Sequence, residues 1–135
     1  MQTLKKFAFR NAGVLAILWA LFIFVLCATP GQYIPSANWL EILSFDKFVH
    51  ASLFFALTVL MFTLAIKYNR NKNAFIFYFL LAVCYGASLE LMQAYWFSNR
   101  SADWKDMVAN TFGCVVAVLL LKKLRVFYAK EGVRQ

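Results

Sequence analysis

Long apolar runs alternate with short polar or helix-breaking segments along the whole chain. From Asn11 to Leu40 there is no charged residue, and Ala12 to Ala28 alone is long enough to cross a hydrocarbon core of about 30 Å with little tilt. A second run covers about Asp46 to Ile66, a third about Ala74 to Tyr95, and a fourth about Asp103 to Leu121. The first connection, Thr29 to Phe45, holds Pro30, Gly31 and Pro35. Proline clashes with the preceding helical turn, so the first helix must stop there. The other connections are the polar turn Lys67–Asn73 and the loop Trp96–Ala102. This pattern predicts an all-α fold, a four-helix transmembrane bundle with short connections.

The polar positions inside these runs fall on stripes. At 100° per residue, Ala82, Gly86, Glu90 and Gln93 share one face of the third helix. Asp103, Asp106, Asn110, Gly113 and Ala117 lie within about 80° of one another on the fourth. Asp46 and His50, four apart, share a face in the first turns of the second. Small residues let helices approach closely, so both stripes belong against a neighbouring helix and away from lipid. Gly86 and Gly113 thereby predict a close antiparallel contact between the third and fourth helices.

Composition fixes the class. The 135 residues are 63% hydrophobic and only 15% charged, too few charges to cover a water-soluble surface, so the chain is integral to a membrane. The length fits one domain, with a core at residues 12–121 and a basic cytoplasmic tail at 122–135. The net charge of +8 is distributed unevenly. Lys5, Lys6 and Arg10, then Lys67, Arg70 and Lys72, then Lys122, Lys123, Arg125, Lys130 and Arg134 put eleven of the fourteen basic residues on one side. Lys47, Arg100 and Lys105 remain for the other. The positive-inside rule then places both termini in the cytoplasm. The excess charge is a topology signal and a contact for anionic lipid, and no nucleic-acid partner is expected. The basic start followed by an apolar run also has the form of a signal peptide, but Leu26–Pro30 offers no good small-x-small cleavage site. Cys27, Cys84 and Cys114 are odd in number, match no metal or redox spacing, and are expected to serve as small packing residues.

This orientation gathers the unusual polar residues at the extracytoplasmic side. His50, Glu90 and Asp106 lie about one turn inside the apolar boundary, where ionisable groups are costly unless paired and are functional candidates by default. Several chemistries fit them. The network could tie helices together and fix their register. His50, Glu90 and Asp106, with Asp103 beside them, are ligand types for a divalent metal such as zinc or manganese, although one histidine is few for zinc. His50 could share a proton with Glu90 or Asp106 in acid–base catalysis. Asp46, Lys47, Gln93, Arg100, Asp103 and Asn110 complete a binding site. Within it Arg100, Lys47 and Lys105 could hold a phosphate or carboxylate of an amphiphilic ligand whose tail lies between helices. Arg100 is expected to fold back as a lid. At least two of His50, Glu90, Arg100 and Asp106 are expected within about 4 Å of each other, with His50 turned toward Glu90 or Asp106.

The order Asp46-Lys47-x-x-His50, Glu90-x-x-Gln93 and Arg100-x-x-Asp103-x-x-Asp106-x-x-x-Asn110-x-x-Gly113 resembles the pattern of VanZ-like membrane proteins. The family takes its name from a protein linked to low-level teicoplanin resistance. The resemblance covers about residues 12–121. It implies a multi-pass protein of the bacterial inner, or cytoplasmic, membrane with an envelope-facing polar site, and it does not by itself imply antibiotic resistance. The expected function is recognition, or modification, of a lipid-linked or amphiphilic envelope molecule, a class that includes glycopeptides such as teicoplanin and cell-wall precursors. The alternative is a non-catalytic assembly or stability factor whose polar network is structural. Enzymatic activity and oligomeric state stay open at this point.

The basic split generates a direct expectation. A reporter fused after Gln135 should be active only in the cytoplasm, and one inserted near Ser98 only outside; reversed readings would relocate the polar side.

Overall fold

An apolar run in hydrocarbon must satisfy its own backbone hydrogen bonds, and helices do so within one segment. The computed structural model describes residues 2–30, 45–97 and 103–130, the side chains of Gln2 and Lys130 excepted. Pro35 and Arg134 lie outside the described residues, as does Arg100. All regular structure described is helical: α1 (Gln2–Arg10), α2 (Ala12–Ala28), α3 (Phe45–Lys67), α4 (Lys72–Tyr95) and α5 (Trp104–Lys130).

Local chemistry accounts for the helix ends. The Thr29 hydroxyl donates to the Val25 carbonyl at 2.8 Å, closing the last turn of α2 as the chain turns extended. Asn69 takes a left-handed conformation at φ 48°, which its short polar side chain tolerates. Its N–H donates to Ile66 O at 3.0 Å and that of Arg70 to Ala65 O at 2.9 Å, a Schellman ending for α3. Asn71 then caps α4, its side-chain oxygen accepting from the Ala74 N–H at 3.3 Å. Asp103 caps α5 in the same manner, Oδ1 accepting from the Lys105 N–H at 2.9 Å.

Both ends of the chain add helix to the apolar runs. The basic segment extends the fourth run, since α5 continues unbroken to Lys130. At the other terminus, Gln2–Arg10 is itself helical and meets α2 at a bend of 79°. Three helices, α3, α4 and α5, are long and apolar enough to cross a membrane, and α1 with α2 makes a fourth span only if the bent pair is taken together. Large apolar side chains such as Leu21, Leu91 and Leu119 point outward, as expected of helices surrounded by lipid.

α3 is the centre of the packing and touches every other helix. Its most extensive contact is with α5, and the residue that allows it is Gly113. A β-carbon there would collide with the Ala51 carbonyl oxygen and stand 2.9 Å from Phe55 N, so the two backbones touch. The contact runs parallel: Ala51 faces Gly113, and further along Phe62 and Ala117 share one buried cluster. Gly113 thus faces the second run and not the third, while the expected close antiparallel approach of the third and fourth runs is made at Gly86 and Asn110. Gly86 makes room for the Phe54 ring of α3, 3.0 Å from where its β-carbon would be, and for Asn110 of α5 at 3.3 Å. The smallest surface on α5 meets the smallest on α3, and α4 closes over the resulting pair.

α2 is attached by polar side chains that reach backbone carbonyls. Trp19 Nε1 donates to Leu53 O at 3.0 Å, the Tyr85 hydroxyl to Ala20 O at 2.7 Å, and Gln93 Nε2 to Cys27 O at 3.3 Å. Cys27 and Cys114 are buried packing residues as expected, whereas Cys84 is exposed on the outer face of α4.

Because Gly113 abuts backbone, which cannot rotate away, Gly113→Ala should destabilise the protein by about 1–3 kcal/mol in a detergent unfolding titration. Gly13→Ala meets only the mobile Leu64 side chain at 3.4 Å and should be neutral or stabilising, by at most about 1 kcal/mol.

Candidate functional site

The parallel contact of α3 and α5 sets which polar side chains meet. Moving from the backbone contact toward the starts of both helices, His50 lies against Asn110, and Lys47 against Asp106 and Asp103. Lys47 is the hub. Its ammonium donates to Asp103 Oδ2 at 2.7 Å, to Asp46 Oδ2 at 3.2 Å, and to Asp106 Oδ1. An ammonium has three protons, and all three are engaged. In this arrangement every Lys47 donor is directed at a carboxylate of the protein. Lys105 points away as an exposed residue of α5.

His50 bridges the two helices. Nδ1 lies 3.1 Å from Asn110 Oδ1 and Nε2 lies 3.7 Å from Asp46 Oδ1. With the amide oxygen as partner, Nδ1 carries the proton, and Nε2 is the nitrogen turned toward the carboxylates. One donor atom from each of Asp46, His50 and Asp106 lies within 4.8 Å of the others. The ligand types read from the sequence were His50, Glu90 and Asp106 with Asp103 beside them; the group that the described residues bring together is Asp46, His50 and Asp106. Lys47 already sits on Asp46 and Asp106, so a divalent ion there would have to displace its ammonium.

Glu90 approaches from α4 and is 4% exposed. Oε2 accepts from the Asp103 N–H at 3.3 Å, which joins the end of α4 to the start of α5. Oε1 is fully buried and has no hydrogen-bond partner among the described residues. Gln93 is also buried, but its amide is turned to α2 and ties down that helix instead of entering the cluster. Among the described residues no hydrogen bond or ion pair joins any two of His50, Glu90 and Asp106. The contacts expected among them run through Lys47 and Asn110 instead, because the α3–α5 register puts those two residues between them. Arg100, the expected lid, lies outside the described residues.

The site thus contains Asp46, Lys47, His50, Asp103, Asp106 and Asn110 in one network, with Glu90 linked to it through the Asp103 backbone. Sequence reasoning placed Lys47 at this end of the chain but missed that it organises the cluster. The available signal was its spacing of three from His50, which puts both on one face of α3.

Four carboxylates surround one lysine and one histidine, so the described cluster is acid-rich. The Asp103 carboxyl, at the rim before α5 begins, is held below its ordinary value, chiefly by the hydrogen bond from Lys47 and then by the Lys105 N–H.

A family model described as VanZ/LLP1 matches residues 11–127. No curated protein and no solved structure matches the chain.

A group whose folded pKa is depressed stabilises the fold above its unfolded pKa and loses that contribution as pH falls through the folded value. Asp103 should therefore stay ionised to lower pH than an ordinary aspartate. In Lys47→Met, carboxyl carbon NMR should show its titration moving upward. An unchanged titration would mean that the ammonium contact does not govern Asp103.

Proposed function

The chain belongs to the VanZ/LLP1 family, and on that premise we propose that it is a bacterial cytoplasmic-membrane protein that recognises the polar head of an amphiphilic or lipid-linked envelope molecule. In this reading residues 1–135 form one domain with four spans, the bent pair α1 and α2 making the first and both termini lying inside. The polar cluster then faces the envelope. Exposed Tyr95, Trp96 and Trp104 at the same end suit the headgroup level, where an aromatic ring has one apolar and one wet side.

The observation that carries the proposal is Oε1 of Glu90, which is buried and has no hydrogen-bond partner among the described residues. A buried acceptor without a donor costs about 1–3 kcal/mol, more if charged, and such a cost persists where it serves something else. A ligand that brings an ammonium, hydroxyl or amide N–H removes it. Among the described residues every Lys47 donor is directed at a carboxylate of the protein, and those carboxylates would repel an anionic head. The ligand class is therefore an amphiphile whose head donates hydrogen bonds; glycopeptides and cell-wall precursors with amine and hydroxyl groups fall within it. His50, with Nε2 facing Asp46, is the group placed to move a proton if the bound molecule is also modified.

A second reading, a structural network in a non-catalytic assembly or stability factor, is favoured by one observation. Every proton of Lys47 is engaged inside the protein, as in a tie between helices.

The two readings separate on Glu90. A photoreactive long-chain alkylamine should label the end of α4 and the start of α5, while the matched alkyl phosphate should not. Glu90→Leu should reduce amine labelling at least tenfold and change thermal stability in detergent by less than about 1 kcal/mol, because removal of the unpaired Oε1 offsets the loss of the Oε2 bond to the Asp103 N–H. Labelling that persists while stability falls by about 1–3 kcal/mol would favour the structural reading and sink the binding one.

A further inference from the structure

The opposite end of the helices holds a second feature. Between the start of α4 and the end of α5 lies a groove of about 540 Å³, within the range of small-molecule sites. Its walls are apolar, with Phe75, Ile76 and Phe79 from α4 and Val115, Val118 and Leu121 from α5. Its polar lining consists of Lys72, Lys122 and Arg125, and no acidic residue lines it. The guanidinium of Arg125 lies 4.4 Å from the centroid of the Phe75 ring. That contact holds Arg125 at the groove, and among the described residues no carboxylate pairs with its guanidinium. Ile76 and Val118 are exposed on the apolar flanks, so the groove opens sideways along the helix faces.

Three cations at one end of a lateral apolar slot match a molecule with an anionic head and a hydrocarbon tail. We propose that this groove binds an anionic phospholipid, its phosphate held by Lys72, Lys122 and Arg125 and one acyl chain lying between α4 and α5. Charge complementarity selects this occupant over a zwitterionic lipid, whose own ammonium would be set against three cations. A guanidinium matches phosphate oxygens in a fork of two parallel hydrogen bonds, and the lysines add point charges from the flanking helix turns. In the orientation proposed above, the site lies in the cytoplasmic leaflet, where anionic lipid is attracted by basic residues at the helix ends. The bound lipid would join α4 to α5 at the end where Gly86 and Asn110 do not reach. The groove shares no residue with the acidic cluster, so either site can fail without the other.

The test uses the full chain in detergent, incubated with equimolar phosphatidylglycerol and phosphatidylcholine, with retained lipid read by native mass spectrometry. The wild type should retain phosphatidylglycerol preferentially, and excess inorganic phosphate should not displace it. Each basic residue near a membrane surface contributes about fivefold in affinity. Lys72→Gln, Lys122→Gln and Arg125→Gln together should then weaken retention on the order of a hundredfold. The control Lys6→Gln, Arg70→Gln and Lys123→Gln removes the same charge elsewhere at the basic end and should weaken it by less than about fivefold in total, being outside the groove. Val118→Trp, which fills the slot without altering charge, should reduce retention too. Thermal melts of all variants establish that they are folded. Equal loss in the control, equal retention of the two lipids, displacement by phosphate, or unchanged retention in Val118→Trp would each overturn the proposal.

Discussion

The backbone contact between α3 and α5 at Ala51 and Gly113 is the constraint on which the rest depends. Two helices that touch backbone to backbone cannot slide past each other without a side chain entering the contact. Register is therefore fixed at one point and propagated in both directions by the helix repeat. Toward one end it sets His50 on Asn110 and Lys47 on Asp106. Toward the other it brings Phe62 and Ala117 into one core with Phe9, Phe75 and Tyr128. No interaction in the polar cluster is close in sequence between α3 and α5: Lys47 and Asp106 are 59 residues apart. Their meeting is a consequence of packing, and the packing is a consequence of a missing β-carbon.

The two ends of the helices carry opposite surpluses of charge. One end has four carboxylates around Lys47 and His50; the other has Lys72, Lys122 and Arg125 around an apolar groove. Each end satisfies its charges differently. The acidic end pairs most of them internally, through the Lys47 ammonium and the His50 imidazole, where Asp106 and Asn110 are buried between the helices while Asp46 stays exposed. The basic end leaves them at the surface, over aromatic faces such as that of Phe75, because long basic side chains can extend from helix ends to the water.

The apolar helices themselves were legible in the sequence. Ala12–Ala28 was bounded correctly at both ends, since proline and an uncharged run leave little choice. The turn from Lys67 to Asn73 was also readable, and Asn69 and Asn71 are the residues that such an ending and such a start require. Which helix Gly113 faces was not readable. A stripe defines a face of one helix, but its partner depends on the shape of all the others, and Ala51 carries no sequence signal that distinguishes it from any other alanine. The partners of Lys47 were hidden for a related reason. Seen alone, it was a cation near a boundary; its role depends on carboxylates delivered by a helix more than fifty residues away. The bend at Asn11 was missed because a short basic segment preceding an apolar run reads equally well as a straight extension.

The structural and binding readings of the cluster need not exclude each other, and Glu90 is where they divide. A network built only to tie helices would be complete, since any unpaired member reduces the stability the network exists to provide. The part formed by Lys47, Asp46, Asp103 and Asp106 meets that standard, and the His50–Asn110 bridge extends it across α3 and α5. Glu90 does not. One of its oxygens is used by the Asp103 N–H and the other is left buried and unpaired among the described residues. The finished part of the network ties α3 to α5, and the unfinished part lies next to it on α4, which takes no part in the backbone contact. A site that must hold a polar head at a defined place needs this division, with fixed charges to set position and one open acceptor to receive the ligand.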